Sequence, residues 1–325
     1  MNDFPAGQEA TYYGLPAVKP SLWHGLVSSY MFVSGIGGSA QIIASLADLL
    51  EDRALTSIVR NGRYIALASA LAGGPLLIID LHTPRRWYNM LRIFRKTSPM
   101  SIGTWVLMSF GSLSAVLAGA QFASDRGHAP SGMVGGTIKL LQIPAALSGM
   151  AMTTYTGSLL SATSTPLWAA APRTIAASFG AAAMASGAAT LRIAERRQAA
   201  PDGASRVLDR IGFMASAAEL VLMICLRQQL QRRGVGGALR ETAWGFAYDI
   251  GAVGLGAGVP ILHYAQRARQ SEHAPRSMLL ISLAVLAGGF LLRHILIEAG
   301  NASTKRPRDY FRFASSNSAS RKALR

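Results

Sequence analysis

The chain is poor in cysteine and in charge. Cys225 is the single cysteine in 325 residues. One thiol cannot build a disulfide framework, a cysteine-based zinc site or an iron–sulfur cluster. Only 15% of residues are charged, against about a quarter in ordinary soluble domains. Acidic residues are half as common as basic ones, 16 against 32, and the formal net charge is +16. Half of the residues are hydrophobic and the mean hydropathy is +0.27, which excludes a disordered chain. A basic excess can signal nucleic acid. Here the charges fall in short segments between apolar runs, the pattern of a multispan membrane protein, so no nucleic-acid partner is expected.

A spanning helix needs about 20 predominantly apolar residues. No Asp, Glu, Lys or Arg occurs between Lys19 and Asp48, between Lys96 and Asp125, or between Lys139 and Arg173. Shorter charge-free stretches lie between Arg63 and Asp80 and between Arg173 and Arg192. Three further apolar segments carry Glu219, Asp249 and Arg293 inside them. Eight spans are therefore predicted, over 22–47, 64–80, 102–122, 143–168, 174–191, 211–226, 243–264 and 278–298. They are too long and too evenly apolar for β-barrel strands. The fold class is all-α, a polytopic membrane protein with a polar segment 1–21, a membrane domain 22–300 and a basic, Ser-rich tail 301–325. Residues 1–19 carry Asp3 and Glu9 and no basic n-region, so the start does not read as a secretory signal.

Eight spans put both ends of the chain on one face, side A. Side A receives 18 Lys and Arg and side B 13; without the tail the counts are 11 and 13. The positive-inside rule therefore does not fix the orientation.

Ionisable groups at membrane depth are costly and mark function by default. His24, Asp80, Asp249, Arg293 and Glu298 fall in the side-A half of their spans, and Tyr155 and Glu219 fall near the middle of the fourth and sixth. Snorkelling end residues or a self-neutralising carboxylate–arginine pair are plain structural alternatives. Convergence from six helices favours a cavity for something polar-headed and apolar-tailed. A quinone fits, because its two oxygens need hydrogen-bond partners and its chemistry needs groups that pass protons. The buried acids would equally suit an ion or proton pathway without quinone, and a plain membrane anchor is a third reading. Gly35, Gly37 and Ala40 match a dinucleotide-binding pattern but lie inside a span, with no strand before them. Like Gly254, Gly256 and Gly258, or Gly180, Ala183 and Gly187, they read as small residues for close helix contact. His24 and His294 share a side, but haem ligation is not the expectation.

Four segments resemble the NrfD/PsrC family of membrane subunits of polysulfide-reductase-type complexes. They are DLHTPRRWYNMLRIFRKTSPMSIGTW (Asp80–Trp105), YTGSLLSATSTPLW (Tyr155–Trp168), LLRHILIEAG (Leu291–Gly300) and SLWHGLVSSYMFVSGIGGSA (Ser21–Ala40). The resemblance implies eight helices in two four-helix bundles. It also implies quinol oxidation or quinone reduction (menaquinone or ubiquinone), near the face that docks an iron–sulfur subunit. By position it makes His24, Asp80, Tyr155 and Arg293 quinone-site candidates. Glu219, Asp249 and Glu298 are then proton-relay candidates. The loop departs from the family pattern at His82 and Thr83, with Arg85 and Arg86 following. Since no iron–sulfur cluster or haem is expected on this chain, electrons must come from outside. A ferredoxin-like multi-cluster subunit fits that role, with a molybdopterin-type catalytic subunit behind it. Arg85, Arg86, Arg92 and Arg95, interleaved with Trp87, Tyr88 and Phe94, form an amphipathic segment suited to docking. The implied location is the bacterial inner (cytoplasmic) membrane, within the lipid bilayer.

Overall fold

A computed structural model describes residues 18–306, apart from 82, 93, 198–201, 241–242 and 270–274, together with 311. The described residues are helical, with no strand among them. Eight long helices follow one another. They are α1 (Gly25–Leu49), α2 (Thr56–Ile79), α3 (Pro99–Asp125), α4 (Gln142–Ser161), α5 (Pro172–Arg197), α6 (Asp202–Arg232), α7 and α8 (Pro275–Thr304). Helix α7 is composite: Ala243–Phe246, a π-helical stretch Ala247–Gly258, then Val259–Arg269. By length and composition α1, α2, α3, α5, α7 and α8 are able to cross a membrane. Helix α4 is shorter and rich in Ser, Thr and Gly, and α6 carries acids and arginines along its length.

The expected second span began at residue 64, yet α2 begins at Thr56. Charge does not end this helix, because its arginines find partners across the bundle. The Nε of Arg60 donates to Asp125 at 2.8 Å, and Arg63 pairs with Asp48 at 3.1 Å and donates to Gln121 at 2.9 Å. The expected fourth span ran to residue 168, but α4 stops at Ser161. Pro166 lacks the N–H that a continuing helix needs. It instead opens a short helix, Pro166–Ala170, that carries Trp168 into the core. The polar start 1–17 and the tail from 312 lie outside the described residues, and α8 continues through Thr304.

Helix α1 packs on α2 and α4, and α3 closes against both of those. Helices α5, α6, α7 and α8 pack among themselves, and α1 meets both α5 and α8. Between membrane helices there is little hydrophobic drive, so close backbone approach and buried polar bonds carry association. A Cβ at Gly38 would lie 2.7 Å from the carbonyl oxygen of Gly149, which fixes Gly at the α1–α4 seam. Gly256 meets Gly288 just as closely between α7 and α8. The main core gathers Tyr30, Phe110, Met152, Trp168, Phe179 and Leu292. Leu71, Val116, Phe122, Leu147 and Met150 stand exposed on α2, α3 and α4, an outward apolar surface suited to lipid.

Candidate functional site

The side-A end of the helices is tied together by polar bonds between α1 and α8. His24, at the N-cap of α1, places Nδ1 3.1 Å from Glu298 Oε1. One turn deeper, the Ser28 hydroxyl is 3.2 Å from His294 Nδ1. The His294 ring stacks on Phe290 and meets Trp244 edge-on. The Asn301 side chain accepts from the backbone N–H and hydroxyl of Ser21 and donates to the Trp23 carbonyl. Trp23 stacks on Trp168, whose indole N–H donates to the Leu296 carbonyl at 2.7 Å.

Tyr155, two turns from the end of α4, is half-buried, and its phenol rests directly on Gly103 of α3. Any Cβ at 103 would collide with it. Its hydroxyl makes no hydrogen bond to a described residue. Tyr30 of α1 is close enough to interact with it electrostatically. The hydroxyls of Tyr30 and Ser34 are buried and have no partner with hydrogen-bond geometry. Gly73 of α2 leaves the room they occupy, since a Cβ there would lie 3.1 Å from Ser34 Oγ. Burying a hydroxyl unpaired costs about 1–3 kcal/mol, and two such hydroxyls, one turn apart on α1, lie beside Tyr155 with only each other in reach.

The other expected residues are distributed as follows. Asp80 is half-buried at the C-cap of α2. Arg293 is 1% exposed, between α1, α5 and α8. It donates to the carbonyls of Gly289 at 2.6 Å and Phe179 at 3.1 Å, over the rings of Phe179 and Phe32. Gly35 makes space for its guanidinium. Glu219 is equally buried, within electrostatic reach of Arg293, and one of its carboxylate oxygens has no partner. Asp249 opens the π-helical stretch and pairs with Arg227, both side chains being partly exposed. The structure therefore brings His24 to Glu298, Asp249 to Arg227 and Glu219 toward Arg293, and it leaves Tyr155 with Tyr30. Arg85, Arg86, Arg92 and Arg95 are all exposed on the α2–α3 connection, as are Trp87, Tyr88 and Phe94.

Sequence reasoning missed Tyr30, Ser34 and the side-B network. Tyr30 and Ser34 are uncharged, so a scan for charge passes over them; an unpaired hydroxyl is visible only once neighbours are known. Glu195 is 1% exposed, and it accepts from Ser57 at 2.6 Å and Asn61 at 2.7 Å. No group of three or more metal-ligating side chains occurs among the described residues.

Residues 16–304 match the family model described as "Polysulphide reductase, NrfD". The chain belongs to the NrfD family. This NrfD protein is similar to the C subunit of polysulfide reductase from Wolinella succinogenes, at 25% identity over 304 residues, spanning 86% of this protein and 94% of that one. Family and apolar helices together make it a multi-pass membrane protein.

Proposed function

We propose that this NrfD protein is the quinone-interacting membrane subunit of a reductase complex in the bacterial inner membrane. In this reading all eight long helices span, as two four-helix bundles, α1–α4 and α5–α8. The relative in Wolinella is one subunit of polysulfide reductase, which supports a complex with separate catalytic and iron–sulfur subunits. The observation that carries the proposal is the Tyr155 hydroxyl, which rests against Gly103 with no hydrogen bond to a described residue, beside the buried Tyr30 and Ser34 hydroxyls that have only each other in reach. Donors held open at membrane depth fit a ligand oxygen, and a quinone presents two.

A bound quinone supplies two-electron, two-proton redox chemistry. The protein's own part is to position and to move protons. The phenol of Tyr155, braced on Gly103 of α3, would donate to one ligand oxygen. His24 stands at the side-A mouth, 64% exposed at its side chain and hydrogen-bonded to Glu298, so it hands protons between the site and water. Asp80, at the end of α2, assists there. Glu219 and Arg293 form a deeper pair that takes up or releases a proton as the local charge changes, with Asp249 nearer the surface. The exposed arginines 85, 86, 92 and 95 dock the acidic rim of a ferredoxin-like iron–sulfur subunit. The buried Glu219 with its free oxygen also favours a second reading, proton translocation through α5–α8.

Quinol-dependent reduction by the purified complex tests the site. Tyr155→Phe and His24→Ala are each expected to lower turnover at least tenfold, the equivalent of about 1.4 kcal/mol. Unchanged turnover and inhibitor binding in both variants would sink the assignment. Glu219→Gln separates the second reading: proton uptake measured in vesicles falls while quinol oxidation in detergent persists.

A further inference from the structure

A second feature lies on the lipid side of the same helices. Between α2 and α3 runs an open slot of about 380 Å³. It extends along α2 from Leu67 to Leu81, roughly 21 Å at 1.5 Å per residue. The lining is almost wholly apolar; Thr104 and Ser112 supply the hydroxyls. Trp87, Met90 and Leu91, from the amphipathic connection between the two helices, roof its side-A end.

The slot exists because small residues are used here against their usual role. Elsewhere in this bundle, glycine lets two backbones touch, as at Gly38 and Gly149. Along the slot, a Cβ at Gly74 would meet nothing within 4 Å, and one at Gly111 would meet only the Ala70 Cβ, at 3.9 Å. These glycines draw no helices together, and they leave a channel. It runs along neighbouring faces of the same two helices that carry the site described above. Gly103, which carries the Tyr155 phenol, directly precedes Thr104 in the slot wall. Ala70, Leu77 and Leu107 line the slot and also pack on the main core. On α2, Gly73 faces Tyr30 and Ser34 while its neighbour Gly74 faces the slot.

We infer that the α2–α3 slot is the track of the quinone's isoprenoid tail and its lateral route from the bilayer to Tyr155. The inference rests on the quinone reading. A slender, flexible, wholly apolar chain of several isoprene units matches a long slot that has almost nothing to hydrogen-bond. A headgroup does not match it. The roof comes from the proposed docking segment, so a seated partner would lie over the tail and hinder its exit.

Filling the slot tests this. Gly74→Leu and Gly111→Leu place side chains in open space and leave Tyr155 untouched. Gly119→Leu is the control, because Gly119 lies on α3 beyond the slot and also has nothing within 4 Å. The complex is purified with its partner subunits and assayed with long-tailed menaquinol and with menadiol, which has no tail. The Gly74→Leu/Gly111→Leu double variant is expected to raise KM for menaquinol about tenfold and to leave menadiol oxidation unchanged. Quinone retained per complex after a detergent wash, measured by extraction and mass spectrometry, falls at least fivefold. Gly119→Leu changes neither quantity. Three outcomes overturn the inference. Unchanged menaquinol kinetics and retention mean the tail runs elsewhere. Equal loss with both substrates means the slot is structural. Loss of a co-purified phospholipid or of subunit assembly, with normal kinetics, assigns the slot to an acyl chain or a partner helix. If the wild-type complex oxidises neither substrate and retains no quinone, the quinone reading itself fails.

Discussion

The two ends of the α1–α4 group treat polar side chains in opposite ways. Toward side B, Arg60 and Tyr64 share Asp125, Arg63 holds Asp48 and Gln121, and Glu195 is gripped by Ser57 and Asn61. Toward side A, the buried hydroxyls of Tyr30 and Ser34 have only each other in reach, and Tyr155 has no hydrogen bond to a described residue. Each set includes buried polar groups, Arg63 and Glu195 on side B and Tyr30 and Ser34 on side A, and a buried polar group is expensive to leave alone. A group whose bond is made inside the protein holds helices together. A group left open loses free energy on folding and recovers it when a ligand arrives. In the proposed function, this contrast gives stability to one end and ligand chemistry to the other.

That division can be broken by substitution, and the largest effect is expected at the paired end. Arg63→Met strands Asp48 and the side-chain oxygen of Gln121, whose amide still donates to Asp125. Losing one partner of a buried pair costs about 3–5 kcal/mol, and the 28% exposure of the Asp48 side chain reduces this to about 2–3 kcal/mol. Thermal unfolding of the purified complex reads the loss, while quinol turnover per folded complex stays at the wild-type level. An unchanged midpoint would make the network idle. Tyr155→Phe inverts the pattern, with turnover down about tenfold and the unfolding midpoint unmoved or slightly raised. If stability falls with activity, Tyr155 is a packing residue and the contrast disappears. Trp168→Phe removes the bond to the Leu296 carbonyl, worth about 1 kcal/mol, and shows as a small midpoint shift with turnover intact. Smallest is Lys139→Met. The Lys139–Glu51 pair is largely exposed on both partners, so its loss costs under about 1 kcal/mol, which sharpens the distinction between buried and surface pairs on side B.

Apolar runs bounded by charge were enough to see the all-helical membrane architecture, and the motifs around Asp80, Tyr155 and Leu291 were enough to see the family. Helix ends were harder. Arg60 and Arg63 looked like loop residues because a lone arginine is excluded from a span, but their partners sit 65 and 15 residues away in sequence. The early end of α4 was legible in Pro166, yet the apolar residues around it hid the break. The π-helical stretch in α7 left no mark beyond its glycines. Of the site, Tyr155 and His24 were visible as polar residues in apolar surroundings. Tyr30 and Ser34 were not, since nothing in one stretch of sequence reports whether a hydroxyl will find a partner on another helix. Arg293 was visible as a charge in a span, but the aromatic faces and carbonyls that hold it come from α1, α5 and its own helix.

The clasp at side A joins residues 280 positions apart, Ser21 and Asn301, with His24–Glu298 and Ser28–His294 alongside. Helix α1 emerges from the ribosome before α8, so these contacts form only once α8 has been made. During insertion, the first helix therefore waits in the bilayer with its side-A polar groups unanswered. Closure of the side-A clasp is thus a late event, set by the arrival of α8 beside α1.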